Sequence, residues 1–235
     1  MLDILAFGAH PDDVEIGIGG TIAVHTARGY RCGIVDLSRG EMASHGTPEE
    51  RALEGEEAAR VLGVEVRECA GLPDSFIKSD EESQEKVIEL VRKYSPKIVL
   101  CPYYEDNHPD HINGSLLVKE ACHLAGLSKY PAQGRPYRPE KLFYYFLGKT
   151  ADPTLLIDIS SHVDIKWKAI ACHKSQFSLP SDTRAETLVN SPLFIQYLKS
   201  RDQFFGSLIR VPYAEGLIPE GKMSLPHLFC GEEIK

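Results

Sequence analysis

Residues 2–13 read Leu2-Asp3-Ile4-Leu5-Ala6-Phe7-Gly8-Ala9-His10-Pro11-Asp12-Asp13. The apolar run Leu2–Phe7 ends at Gly8, as a strand buried on both faces does. A short polar turn follows. Val14–Arg28 then has the length of a helix and stops before Gly29, a residue suited to the left-handed turn that closes one. Buried strand, polar turn and helix together form the repeating unit of an α/β sheet.

The unit recurs along the chain. Arg31–Leu37 reads as a second strand, and the polar loop Ser38–Thr47 leads to a helix from Pro48 to Leu62, stopped at Gly63. Pro48 suits a first helical turn, and Glu49 and Glu50 suit the positive end of its dipole. Val64–Cys69, Glu81–Tyr94, Lys97–Pro102 and Ile112–Leu124 continue as strand, helix, strand and helix. This alternation predicts an α/β fold: a mostly parallel twisted sheet with helices on both faces and right-handed crossovers. A doubly wound order 3-2-1-4-5 makes strands one and four neighbours at the topological switch point. Further on, Leu142–Leu147 and Thr154–Ile159 read as strands, and Val163–His173 and Leu193–Phe205 as helices. No repeat, low-complexity tract or linker breaks the chain, so one domain is expected over 1–235.

The chain has 235 residues, 43% hydrophobic and 26% charged, with a net charge of -8. That composition excludes a disordered or fibrous chain, and the acidic balance argues against nucleic-acid binding. No apolar run has the length of a membrane span. The first residues lack a basic region and run into acidic ones, so no secretory leader is expected. The six cysteines are scattered without a CxxC pair and are read as free thiols of a cytoplasmic protein.

Two segments carry the chemistry. His10-Pro11-Asp12-Asp13 follows the first strand, and His108-Pro109-Asp110-His111 follows the fourth. Both therefore lie at carboxyl ends of adjacent strands, where one crevice brings them together. His10 and Asp13, three apart, share one side of a helical turn, and His111 completes a His-Asp-His set. Three protein ligands leave a position for water, as in catalytic zinc sites; Fe2+ and Co2+ also suit the set. Asp12, beside a ligand, has the character of a general base. Asp110 and His108 orient each other or His111.

These paired motifs resemble the signature of the LmbE/PIG-L family of metal-dependent N-acetylglucosaminyl deacetylases. Ser38-Arg39-Gly40-Glu41, and Arg51 with Ala58-Ala59-Arg60-Val61-Leu62-Gly63, are similar to the family's segments after strand two. Pro102-Tyr103-Tyr104-Glu105-Asp106, Ser175-Gln176-Phe177 and Tyr213-Ala214-Glu215-Gly216 look like its bacillithiol-biosynthesis branch. The resemblance implies a Rossmann-like domain with His10, Asp13 and His111 as metal ligands and Asp12 as base. It implies that His108, with Asp110 beside it, assists as a catalytic group, stabilising the oxyanion or protonating the amine. It implies Arg51 and Arg138 at the polar end of an anionic substrate, N-acetylglucosaminyl-L-malate. N-acetylglucosamine or chito-oligosaccharides are the alternative substrates, and a metal- or sugar-binding protein without chemistry is the alternative of another class. A homo-oligomer, a hexamer, is implied as well. Where some members carry a tyrosine two residues before the first histidine of the second motif, this chain has Asp106.

Other residues carry weaker signals. Gly17-Ile18-Gly19-Gly20 comes too late for a dinucleotide turn and is expected to serve helix packing. His45, His173 and His227 are further candidates for the site.

Overall fold

The computed structural model describes residues 1–178 and 187–224. Its seven-stranded sheet has the order β3-β2-β1-β4-β5-β7-β6. β1 (Ile4–Gly8), β2 (Cys32–Ser38), β3 (Val66–Leu72), β4 (Ile98–Pro102) and β5 (Lys141–Tyr145) are parallel neighbours, in the order the alternation predicts. β7 (Ala214–Pro219) pairs antiparallel with both β5 and β6 (Leu155–Asp158). Residues 214–219 are a strand that the sequence reading does not predict.

The central strands are apolar on both sides, so alternate residues enter two different cores. Leu5, Phe7, Val99, Cys101 and Tyr144 face one; Ile4, Ala6, Leu100, Phe143 and Tyr145 face the other. Helices α3 (Glu81–Tyr94) and α4 (Pro109–Ala125) cover the first through Val87, Val91, Leu117 and Ala121. Helices α1 (Asp13–Ala27), α2 (Pro48–Leu62) and α5 (Val163–Cys172) cover the second through Val14, Ile22, Ala58 and Ala169. Each large side chain taken out of water this way stabilises the fold by roughly 1.5–3 kcal/mol. The short α6 (Lys174–Phe177) and long α7 (Pro192–Leu208) complete the chain's helices among the described residues.

Local chemistry sets the helix starts near the crevice. Thr47 and Glu50 form a reciprocal capping box on α2: Glu50 N donates to Thr47 Oγ1 at 3.2 Å, and Thr47 N to Glu50 Oε2 at 2.8 Å. His108 caps α4, its Nδ1 accepting from Asp110 N at 3.2 Å. Gly17 answers the glycine reading: a Cβ there would lie 2.3 Å from the Tyr145 ring. The glycine lets α1 press onto the sheet, as a packing role requires.

Candidate metal centre

The turn after β1 and the turn after β4 meet, as the switch-point argument predicts. His10 Nδ1 lies 3.7 Å from Asp13 Oδ2, and His111 Nε2 lies 3.3 Å from Asp13 Oδ1. Ligand atoms of His10, Asp13 and His111 all lie within 4.8 Å of one another. A second set, His10, His108 and Asp110, also meets this limit. Its members are more fully engaged with protein: Asp110 accepts from Ser75 N at 2.7 Å and Ile77 N at 3.3 Å, and His108 Nδ1 accepts from Asp110 N.

Both histidines of the first set are backed by carboxylates on their outer nitrogens. His111 Nδ1 lies 2.9 Å from Asp106 Oδ1. His10 Nε2 lies 3.1 Å from Asp74 Oδ1 and 3.3 Å from Asp110 Oδ2. A carboxylate on one ring nitrogen holds the proton there and turns the lone pair of the other inward, as a metal requires. The residues therefore fit a divalent ion. The sequence reading pairs Asp110 with His108 or His111; in the structure Asp110 meets His108 through its backbone N–H, while its carboxylate supports His10 and that of Asp106 supports His111. Asp106 also accepts from His108 N, Gly148 N and Lys149 N at 3.0, 3.0 and 3.1 Å, so it ties α4's start to the end of β5.

The charge balance agrees. Burial opposes a charge on His10, yet Asp110, Asp13 and Asp74 raise its pKa well above the ordinary value. Burial likewise opposes a charge on His111, but Asp13 and Asp106 raise its pKa to about 9. Burial disfavours the charged Asp13 carboxylate, yet the two histidines hold its pKa well below the usual range. His108 differs: burial, then His10 and His111, lower its pKa. That shift favours the neutral imidazole, and with Nδ1 accepting from Asp110 N, Nε2 is the nitrogen left to carry the hydrogen.

Asp12 is buried and lines the cavity. Burial raises its carboxyl pKa to about 6, with Arg51 opposing. Its backbone sits at φ 135, a conformation costly for any residue with a side chain. Arg51 braces that turn: Nη2 donates to Pro11 O at 2.7 Å and to Asp12 Oδ2 at 3.3 Å, and Nη1 to Gly40 O at 3.3 Å. Gly40, at φ +66, passes so close that a Cβ would meet the guanidinium at 1.9 Å.

A cavity of about 640 Å³ opens on this group. His10, Asp12, Asp13, His108 and His111 line it, as do the apolar side chains of Leu188, Leu193 and Phe194 and the ring of Tyr197. Arg51 lines it, but Arg138 does not. Arg138 precedes β5, hence lies at the amino ends of the parallel strands, opposite the crevice. It donates to His123 O at 3.1 Å and lines a separate hollow. The expectation of Arg138 at the substrate is corrected by that placement. His45 and His173 do not line the cavity either; His173 is fully buried beside Glu15. His227 lies outside the described residues. The five described cysteines are free, as expected; Cys230 lies outside the described residues. Among the described residues no helix is long and apolar enough to cross a membrane. Asp74 is a site residue that the sequence reading misses, although its place just after β3 puts a carboxylate at the same strand ends.

Residues 5–122 match the family model described as PIG-L, GlcNAc-PI de-N-acetylase. The chain belongs to the PIG-L family. Within it, the chain is similar to the diacetylchitobiose deacetylase of Thermococcus kodakarensis, with 29% identity over 91% of this chain and 81% of the relative. It is 29% identical to the 4-oxalmesaconate hydratase of Pseudomonas putida, over 73% of each chain. Among solved structures, the conserved protein TT1542 of Thermus thermophilus superposes with a TM-score of 0.88 at 38% identity, covering 96% of this chain and 98% of that one. The PIG-L match spans β1 through most of α4, the part of the chain that supplies all three residues of the first ligand set.

Proposed function

We propose that this chain is a metal-dependent hydrolase that removes the acetyl group from an N-acetylglucosamine-containing sugar. The observation that carries this reading is the convergence of His10, Asp13 and His111 beside the buried carboxylate of Asp12. His10, Asp13 and His111 would hold the ion, zinc by their donor set, with Fe2+ or Co2+ as alternatives. When bound, such an ion acts as a Lewis acid and lowers the pKa of water. Asp12 takes the proton of the attacking water on its carboxylate, whose raised pKa suits a base working near neutrality. The water oxygen bonds to the acetyl carbonyl carbon. His108 offers its Nε2 hydrogen to the carbonyl oxygen as charge develops there. The C–N bond breaks, Asp12 returns the proton it took to the amine, and acetate leaves. Asp106, Asp74 and Asp110 act earlier, by fixing the two histidine rings.

The geometry supports a neutral sugar, such as N-acetylglucosamine or a chito-oligosaccharide, better than N-acetylglucosaminyl-L-malate. Arg51 is the one guanidinium or ammonium group lining the cavity among the described residues, and it is already bonded to Asp12 and two carbonyls. The name of the Thermococcus kodakarensis relative supports the same choice. The test offers the purified protein diacetylchitobiose, N-acetylglucosamine and N-acetylglucosaminyl-L-malate, with and without chelator, and measures free amine. Chelator-sensitive release from the neutral sugars, faster than from the malate glycoside, is expected. No release from any sugar overturns the reading; hydration of 4-oxalmesaconate would then place the chain with the hydratase, and metal uptake alone would leave a binding protein.

A further inference from the structure

Helix α1 is interrupted. Ile18 has φ −143 and ψ 22, outside the helical region, within Asp13–Ala27. In an unbroken helix the Gly20 N–H would donate to the Ile16 carbonyl, and the Thr21 N–H to the Gly17 carbonyl. Here Gly20 N and Thr21 N donate to the two oxygens of Glu215, at 3.0 and 2.6 Å. The Ile16 carbonyl accepts from Arg201 Nη2 at 2.7 Å. Two buried charges of opposite sign thus bind the two sides of the break, a specific cause for the kink.

Those two charges are joined through two more. Arg201 Nε donates to Asp202 Oδ1 at 3.1 Å, and Lys166 Nζ donates to Asp202 Oδ2 at 2.6 Å and Glu215 Oε1 at 2.7 Å. Arg201, Asp202, Lys166 and Glu215 are all buried, and their charges cancel. A buried ionic chain of this kind gives no more stability than well-packed apolar side chains would, so its role lies in what it holds in place.

What it holds is the turn that carries the chemistry. The segment before the break, Asp13–Gly17, begins with a metal-ligand candidate and directly follows Asp12. Arg201 also donates to the carbonyls of Phe146 and Leu147, at 3.0 and 3.3 Å, and Leu147 lines the cavity. Its own helix, α7, carries Phe194 and Tyr197, which also line the cavity. From the other side Arg67 grips Glu15. We propose that Arg201, anchored by Asp202, Lys166 and Glu215, is a positioning residue that sets the first turn of α1, and with it Asp12 and Asp13, relative to the α7 side chains that line the cavity. The consequence for catalysis rests on the deacetylase reading above; the consequence for the turn does not.

The experiment compares wild type with Arg201→Met and Arg201→Lys by hydrogen exchange, in peptides covering residues 9–17 and 21–27, together with Co2+ binding to the metal-free proteins. In Arg201→Met, exchange over 9–17 should rise about tenfold while 21–27 stays near wild type, because local opening is selective. Co2+ affinity should fall about 10–100-fold, as it does when support for a ligand is lost, and kcat should fall more than KM rises. Arg201→Lys, which keeps the charge but lacks the fork, should fall between the two. Unchanged exchange over 9–17, or an equal rise in both peptides, would overturn the proposal. If Arg201→Met does not fold, Glu215→Gln, which keeps an oxygen for one of the two amides, carries the comparison with residues 22–27 as the reference, because Thr21 N is itself one of those amides. A wild type that neither binds Co2+ nor releases amine would sink the deacetylase reading, and the exchange data would still decide the role of Arg201.

Discussion

Asp106 holds the His111 ring by its Nδ1, 2.9 Å away, and so turns Nε2 toward Asp13. Asp106→Ala leaves that ring free to rotate and leaves the Gly148 and Lys149 amides without their acceptor. Metal affinity should drop about 10–100-fold. Competition titration with a chromophoric chelator reads this directly, and wild-type affinity in the variant would show that Asp106 does not orient the ligand.

Asp12 combines a strained backbone with a buried carboxylate. Asp12→Gly relieves a φ of 135 that only glycine adopts freely. The variant should keep its metal, lose about 10²–10⁴-fold in kcat, and stay ~1 kcal/mol more stable than Asp12→Ala, which strands the Arg51 guanidinium equally but keeps the strained φ. Asp12→Ala should lose as much activity. Thermal melts and turnover on the same samples separate the two effects; full turnover in either variant rules out the base assignment.

Arg51 and Arg138 should part company. Arg51→Ala removes the partner of a buried carboxylate and the brace on Pro11 O, and such losses cost about 3–5 kcal/mol. Activity should fall with it. Arg138→Ala should leave kcat and KM unchanged on every substrate, since its guanidinium faces another hollow. A raised KM in Arg138→Ala would return that residue to the substrate.

Glu220 gives a pH prediction away from the site. A hydrogen bond from the Tyr144 hydroxyl and an ion pair with Lys119 at 2.9 Å lower its carboxyl pKa. A lowered pKa stabilises the fold above the ordinary glutamate value, and that contribution disappears as pH falls through the lowered value. With the side chain 41% exposed, screening reduces it to ~0.5 kcal/mol. Glu220→Gln should therefore melt slightly below wild type at pH 7, and the gap should close in acid. A gap that widens in acid would contradict the sign.

Much of the fold is legible because the first half repeats one physical pattern. Each strand from β1 to β4 is followed by a helix, and the central ones are apolar on both faces, so the order of the first five strands follows from the alternation. The strand at Ala214–Pro219 escapes that logic. It contains Glu215, Gly216 and Pro219, and its glutamate is tolerated only because Lys166 and two amides meet it. The candidate ligand set is legible because His10, Asp13 and His111 lie in two short motifs at strand ends. The supporting carboxylates are not, because a loop aspartate such as Asp74 looks the same in sequence whether it faces solvent or a ring nitrogen. Arg138 misleads for a related reason: residue type indicates an anion partner, but only chain direction through β5 says which end of the sheet it occupies.

The position of β7 bears on how this protein is made. It is the last strand in the described chain, yet it lies between β5 and β6. As the polypeptide leaves the ribosome, β6 has no neighbour to pair with until residues 214–219 follow it. Glu215 arrives with that strand, so the two amides at the break in α1 wait for their acceptor until residues 214–219 are made. The parallel strands and their motifs can assemble earlier, as amino-terminal parts of a nascent chain do. The turn at Asp12 and Asp13 therefore reaches its final form after the parallel strands do, and a ribosome stalled before β7 would hold a folded core in which that turn is not yet set.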